Sequence, residues 1–138
     1  MTTLTQRIKN GSGEDRELDT YIWCHFGNRT VVGIADEKSH YPGALLCRNN
    51  KPPHDECVAP VDNWGDKSYP PRYTSDLNAV FALVERELYP VETISLRGKP
   101  GKEQWANIER YGRQSAAVGP DRCRALLLAL LAAKEQLK

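Results

Sequence analysis

The stretch Thr74-Ser-Asp-Leu-Asn-Ala-Val-Phe-Ala-Leu-Val-Glu-Arg-Glu-Leu-Tyr-Pro90, followed by Val91-Glu-Thr-Ile-Ser-Leu-Arg97, changes its hydrophobic period within a few residues. Leu77, Val80, Phe81, Val84 and Leu88 recur at steps of three and four, which places them along one side of a helix. Thr74, Ser75 and Asp76 offer oxygens that cap its first turn, and Pro90 prevents its continuation. From Val91 to Arg97 the apolar residues alternate, Gly98-Lys-Pro-Gly101 turns the chain, and the segment up to Tyr111 can return. A helix near 74–89 beside a hairpin near 91–111 predicts an α+β fold, a small antiparallel sheet of two to three strands layered with helices.

Further helices are expected near 4–9, 14–26 and 120–137. The first stops at Asn10-Gly11-Ser12-Gly13, and the second carries Leu18, Tyr21, Ile22, His25 and Phe26 on one face. The last begins at Gly119-Pro120-Asp121 and is apolar nearly all round over 125–133, which predicts a C-terminal helix that is buried, in part against another subunit. Leu126, Leu127, Leu128, Leu130 and Leu131 exceed what a thin sheet can cover, which predicts a homo-oligomer joined through this helix. Thr30 to Ile34 is a β-branched extended segment. Between residues 35 and 73 the periodicity disappears, and Pro42, Pro52, Pro53, Pro60, Pro70 and Pro71 predict a long irregular excursion.

With 138 residues, 40% hydrophobic and 27% charged, the chain fits a single domain spanning 1–138. A formal charge of +1, from 19 basic and 18 acidic residues, excludes a polyanion coat and argues against long nucleic acid as a partner. The longest apolar run is far shorter than the roughly 20 residues of a membrane span, and residues 1–7 hold no apolar signal core. A cytoplasmic location and free thiols at Cys24, Cys47, Cys57 and Cys123 are therefore expected.

Three chemistries compete for the polar residues. Cys24, His25, Cys47, His54 and Cys57 are the right types for zinc, but only His54 and Cys57 have a usable gap; no metal or cofactor is expected, and a small zinc-dependent enzyme is the weaker alternative. Cys123 at a helix start, between Arg122 and Arg124, is chemically suggestive, yet its neighbours predict a packed thiol. No Gly-x-Ser-x-Gly, Walker or His-Glu-x-x-His pattern occurs, so no enzyme is expected. The third chemistry is an anion site of Arg97, Arg110, Arg113, Arg122 and Arg124, with Tyr73, Trp105 or Tyr111 as the surface for a base. Arg122 leads the set, because the free N–H groups of a helix start add to its own donors. The expected pocket lies between that helix start and the hairpin, shared between subunits.

Three segments taken together carry a family likeness. Arg16-Glu-Leu-Asp-Thr-Tyr-Ile with Phe26-Gly27, the run from Tyr69 to Glu85, and the run from Ala117 to Ala129 resemble, in that order, small bacteriophage proteins of the phage ABA-sandwich type. The likeness covers roughly half of the chain, and the length of the hairpin and its basic residues depart from it. It implies an α/β/α layered fold and a phage product acting in the cytoplasm of an infected bacterium. By analogy, the expected role is a viral anti-defence sponge that sequesters a small anionic, cyclic-nucleotide immune signal without cleaving it. The alternative is a protein-binding inhibitor that docks on a host factor through the loop around Trp64 and Tyr69.

Overall fold

The computed structural model describes residues 3–64 and 67–136, with residues 61–64 and 67–69 as backbone alone. In chain order the elements are α1 (Leu4–Lys9), α2 (Arg16–Phe26), β1 (Arg29–Ile34), β2 (Leu45–Asn49), β3 (Glu56–Ala59), β4 (Val61–Trp64), β5 (Lys67–Tyr69), α3 (Leu77–Leu88), β6 (Thr93–Arg97), β7 (Gln104–Arg110), β8 (Arg113–Gly119) and α4 (Arg122–Gln136). These mixed helices and antiparallel sheets make the fold α+β. The chain divides into two compact units, one of residues 1–14 with 73–138, the other of residues 15–72.

In the first unit β6, β7 and β8 form an antiparallel meander. Sequence reasoning placed β6 and β7 as the hairpin and missed β8, so the sheet continues past Tyr111. Tyr111 and Gly112 both take positive φ, 52° and 73°, the backbone of a two-residue hairpin turn whose twist matches the strands. α4 packs across β7 and β8 and is also met by α1 and α3. Leu126, Leu127 and Leu130 are fully buried and Leu128 is nearly so. Each contributes about 1.5–3 kcal/mol through removal from water. The leucine girdle is thus covered within the chain itself, and the surplus apolar surface from which an oligomer was expected does not exist at these four residues.

Arg124 fastens the same helix to the N-terminal segment. Its guanidinium is buried and donates to the carbonyls of Arg7 (3.2 Å), Ile8 (3.1 Å) and Gly13 (3.1 Å). Asp121 faces it, with 3.6 Å between Nε and Oδ2. The same carboxylate accepts the N–H of Gly13 at 2.9 Å and that of Arg124 at 2.8 Å, so it caps α4 and pins the segment after α1.

In the second unit β1, β2 and β3 pair antiparallel, β4 and β5 form a separate ribbon, and α2 packs on β1 and β2. The expected irregular excursion therefore carries β2 to β5. Its prolines stand at strand ends: Pro42 before β2, Pro52-Pro53 between β2 and β3, Pro60 between β3 and β4, and Pro70-Pro71 after β5. Proline lacks a ladder donor but suits such ends, so here it punctuates strands and does not dissolve them. Arg16 closes the unit by donating to the Pro70 carbonyl at 2.9 Å and to Asp19 at 2.8 Å. The buried face of α2 runs through Leu18, Asp19, Thr20, Ile22, Trp23 and Cys24, whereas His25, expected on it, is exposed.

Candidate functional site

Strand alternation decides which arginines of the first unit share a surface. Ser115 faces α4, where its hydroxyl donates to the Ala129 carbonyl at 2.8 Å. Its cross-strand partner is Ile108, and two residues along each strand Arg110 lies opposite Arg113 on the same face. These residues line a cavity of about 390 Å³ with Leu88, Tyr111, Ala133 and Gln136. That volume lies within the roughly 300–1,000 Å³ of small-molecule sites.

The cavity is basic by construction. Like charges directly opposite on paired strands repel, and among the described residues neither guanidinium has a carboxylate or hydrogen-bond partner. Arg110 Nε is buried and without an acceptor. The C-terminal turn of α4, with Ala133 and Gln136 at the rim, brings the negative end of the helix dipole toward the two cations. A half-charge of that kind offsets only part of two full charges. Arg110 also lies over the Tyr111 ring, 5.1 Å from its centroid, while Tyr111 stays 67% exposed at the hairpin tip. The Tyr111 N–H donates to the Glu92 carboxylate at 2.7 Å, which fixes the tip.

The other sequence-predicted residues lie elsewhere. Arg122 stands at the first turn of α4, beside Lys102, Gln104, Pro100, Gly101, Pro120 and Asp121, around a hollow of about 280 Å³. This is the place between helix start and hairpin where the pocket was expected. It is about 21 Å along α4 from Gln136, at 1.5 Å per residue, so one small ligand cannot touch both Arg122 and Arg113. Asp121 occupies that helix start and already accepts the Arg124 N–H, and its negative charge repels an incoming anion. Arg97 and Trp105 pair on the opposite face of the sheet, with the guanidinium 5.3 Å from the ring. Arg124 is a correction: it is 2% exposed, its Nη1 and Nη2 donate to backbone carbonyls inside the unit, and its Nε is buried 3.6 Å from the Asp121 carboxylate, so it offers no surface to a ligand. Tyr73 is a second correction, being only 3% exposed and offering no face to a base.

Comparisons with protein-family models, with curated proteins and with solved structures find no match. The chemistry therefore rests on the residues. Among those described, no group of three or more His, Cys, Asp or Glu is arranged to hold a metal ion. His54 is held by its turn, with Nδ1 3.1 Å from the Asn49 carbonyl, and His25 meets Phe26 edge-on at 4.9 Å. No helix of the described residues is long and apolar enough to cross a membrane. The side chains of Trp64 and Tyr69, on which the docking alternative rests, lie outside the described residues. What sequence reasoning missed is β8, and with it the opposition of Arg113 to Arg110. Gly112 between two alternating segments was the available signal.

Proposed function

We propose that the chain is a binding module that captures a small anionic ligand of the nucleotide class and does not cleave it. The observation that carries this reading is the facing pair Arg110 and Arg113, without counter-charge among the described residues, on a cavity of about 390 Å³. Two planar guanidiniums side by side match a phosphate through paired N–H donors, and the buried Nε of Arg110 supplies one that lacks an acceptor. The exposed ring of Tyr111 offers a surface for a base. Ser115, the aliphatic hydroxyl of the lining, already donates to the Ala129 carbonyl and is poorly placed to serve as a nucleophile. The phage resemblance supplies the biological setting, sequestration of a cyclic-nucleotide immune signal.

The test is a thermal-shift screen with cyclic dinucleotides, cyclic trinucleotides and cyclic ADP-ribose isomers, with adenosine and inorganic phosphate as controls. A ligand at 100 times its Kd stabilises the native state by about 2.7 kcal/mol. The expected result is a shift with a nucleotide, lost in Arg113→Ala, kept in Arg122→Ala, with the ligand recovered intact after heat denaturation. No shift with any nucleotide, or a shift that survives Arg110→Ala with Arg113→Ala, overturns the reading.

A further inference from the structure

In the second unit three thiols that lie far apart in sequence come together. Cys47 on β2 stands directly opposite Cys57 on β3, its thiol donating to the Leu45 carbonyl at 3.9 Å, and Cys24 lies on α2, which packs on β1 and β2. No disulfide joins them. The Asn49 N–H donates to the Asp55 carbonyl at 2.9 Å, which marks that couple as hydrogen-bonded and makes Cys47 and Cys57, two residues along, the next such couple. Such couples set their Cα atoms about 5.5 Å apart, inside the roughly 4.4–6.8 Å that a disulfide spans. Their side chains leave the sheet on one face, as directly opposed residues do. Burial differs sharply: Cys47 is fully buried and Cys24 nearly so, whereas Cys57, on the edge strand, is exposed.

We propose that the facing pair Cys47 and Cys57 is a thiol–disulfide exchange site for small organic disulfides of the glutathione type, with Cys57 as the attacking sulfur and Cys47 as the resolving sulfur. In the first step the Cys57 thiolate attacks one sulfur of RSSR. A Cys57–SR bond forms, the S–S bond of RSSR breaks, and RS⁻ leaves and takes up the proton that Cys57 has lost. In the second step Cys47 attacks the Cys57 sulfur, the Cys47–Cys57 bond forms, and RS⁻ departs and takes up the proton that Cys47 has lost. The protein loses two hydrogens, and RSSR is reduced to two RSH.

The electrostatics make these steps slow at neutral pH and set their pH dependence. Cys24 is held below the ordinary thiol range, first by its interaction with Cys47 and then by the charge of Arg29. Cys47 is driven far above that range by its interaction with Cys24 and by burial. Arg29 is fixed beside them, its guanidinium 4.0 Å from the Trp23 ring. Cys57 is pushed up by the protein packed around its sulfur and by Cys47, so its attack is slow at neutral pH and faster in mild alkali.

The test incubates the full-length protein with oxidised glutathione, quenches with acid, alkylates free thiols and reads intact and peptide masses. The parent is expected to lose two hydrogens and to yield a Cys47–Cys57 cross-linked peptide. Cys47→Ser stops at one glutathione on Cys57, and Cys24→Ser still closes the Cys47–Cys57 bond. Cys57→Ser, an exposed change checked for native fold by circular dichroism, gains neither adduct nor cross-link. The proposal is overturned if the parent keeps its glutathione without closing, if it does not react, or if Cys57→Ser is oxidised as fast as the parent.

Discussion

Arg124→Ala is expected to lower stability more than any other arginine substitution in the first unit. It leaves the carbonyls of Arg7, Ile8 and Gly13 without their donor and Asp121 without its cation. Deleting one partner of a buried charge pair costs about 3–5 kcal/mol. Here the lower end applies, because the Asp121 side chain is 30% exposed and keeps the N–H groups of Gly13 and of residue 124. A loss of about 3 kcal/mol, at about 2–4 °C per kcal/mol for chains slightly longer than this one, lowers Tm by about 6–12 °C. Calorimetry and guanidinium unfolding measure it, with an unchanged denaturant slope showing that the transition is the same. Arg124→Lys should recover only part, since an ammonium cannot present the fork that spans three carbonyls. Arg113→Ala, exposed and without a described polar partner, is the control and should stay within about 0.5 kcal/mol. If Arg124→Ala melts with the parent, the clamp does not hold α4 to the N-terminal segment.

At the cavity, Arg110→Ala and Arg113→Ala should each weaken nucleotide binding at least about tenfold by calorimetric titration, the equivalent of about 1.4 kcal/mol. Arg122→Ala should change it less than twofold, and the reverse order would move the site to the start of α4. Gly119→Ala places a Cβ 2.7 Å from the Ala125 nitrogen and 2.9 Å from its Cα, so it should cost about 1–3 kcal/mol in urea unfolding. A wild-type midpoint would show that β8 and α4 can part there. Leu127→Asp buries a carboxylate at a fully enclosed position, so circular dichroism should report unfolding; a folded, dissociated species in light scattering would instead restore the oligomer argument. The thiols set a pH signature. Cys24, lowered in the fold, adds stability that is present above the unfolded thiol pKa and is lost as pH falls through its folded value. Cys47 and Cys57, raised, add stability that is present below the unfolded value and is lost as pH rises beyond it. The urea midpoint should therefore peak near pH about 8.5, the ordinary thiol value, and a midpoint that climbs through pH 10 contradicts these directions.

The helix α3 and the β6–β7 hairpin were legible because period and punctuation act locally. The 3.6-residue stripe from Leu77 to Leu88 and the Asp76 cap need only near neighbours, and the structure buries Val80, Val84 and Leu88 of that stripe, with Leu83 beside them, while Leu77 and Phe81 are half-buried. The strands between 45 and 59 are four or five residues long, too short to display a period. Only pairing makes them strands, and pairing is a long-range event. The same holds for Cys47 and Cys57, whose opposition follows from register and leaves no trace in their spacing.

The residue types of the candidate site were also written in the sequence: arginine for anions, tyrosine for a base, both near the hairpin. Which of them meet was decided by tertiary structure. Arg110 and Arg113 flank a two-residue turn and so must oppose each other once β8 pairs with β7. Arg122 and Arg124 look equivalent in a chain of letters. On a helix, two residues are about 200° of rotation, at about 100° each. That half-turn leaves Arg122 at the surface and drives Arg124 against the carbonyls of the N-terminal segment, where the same guanidinium chemistry that could hold a ligand holds the fold.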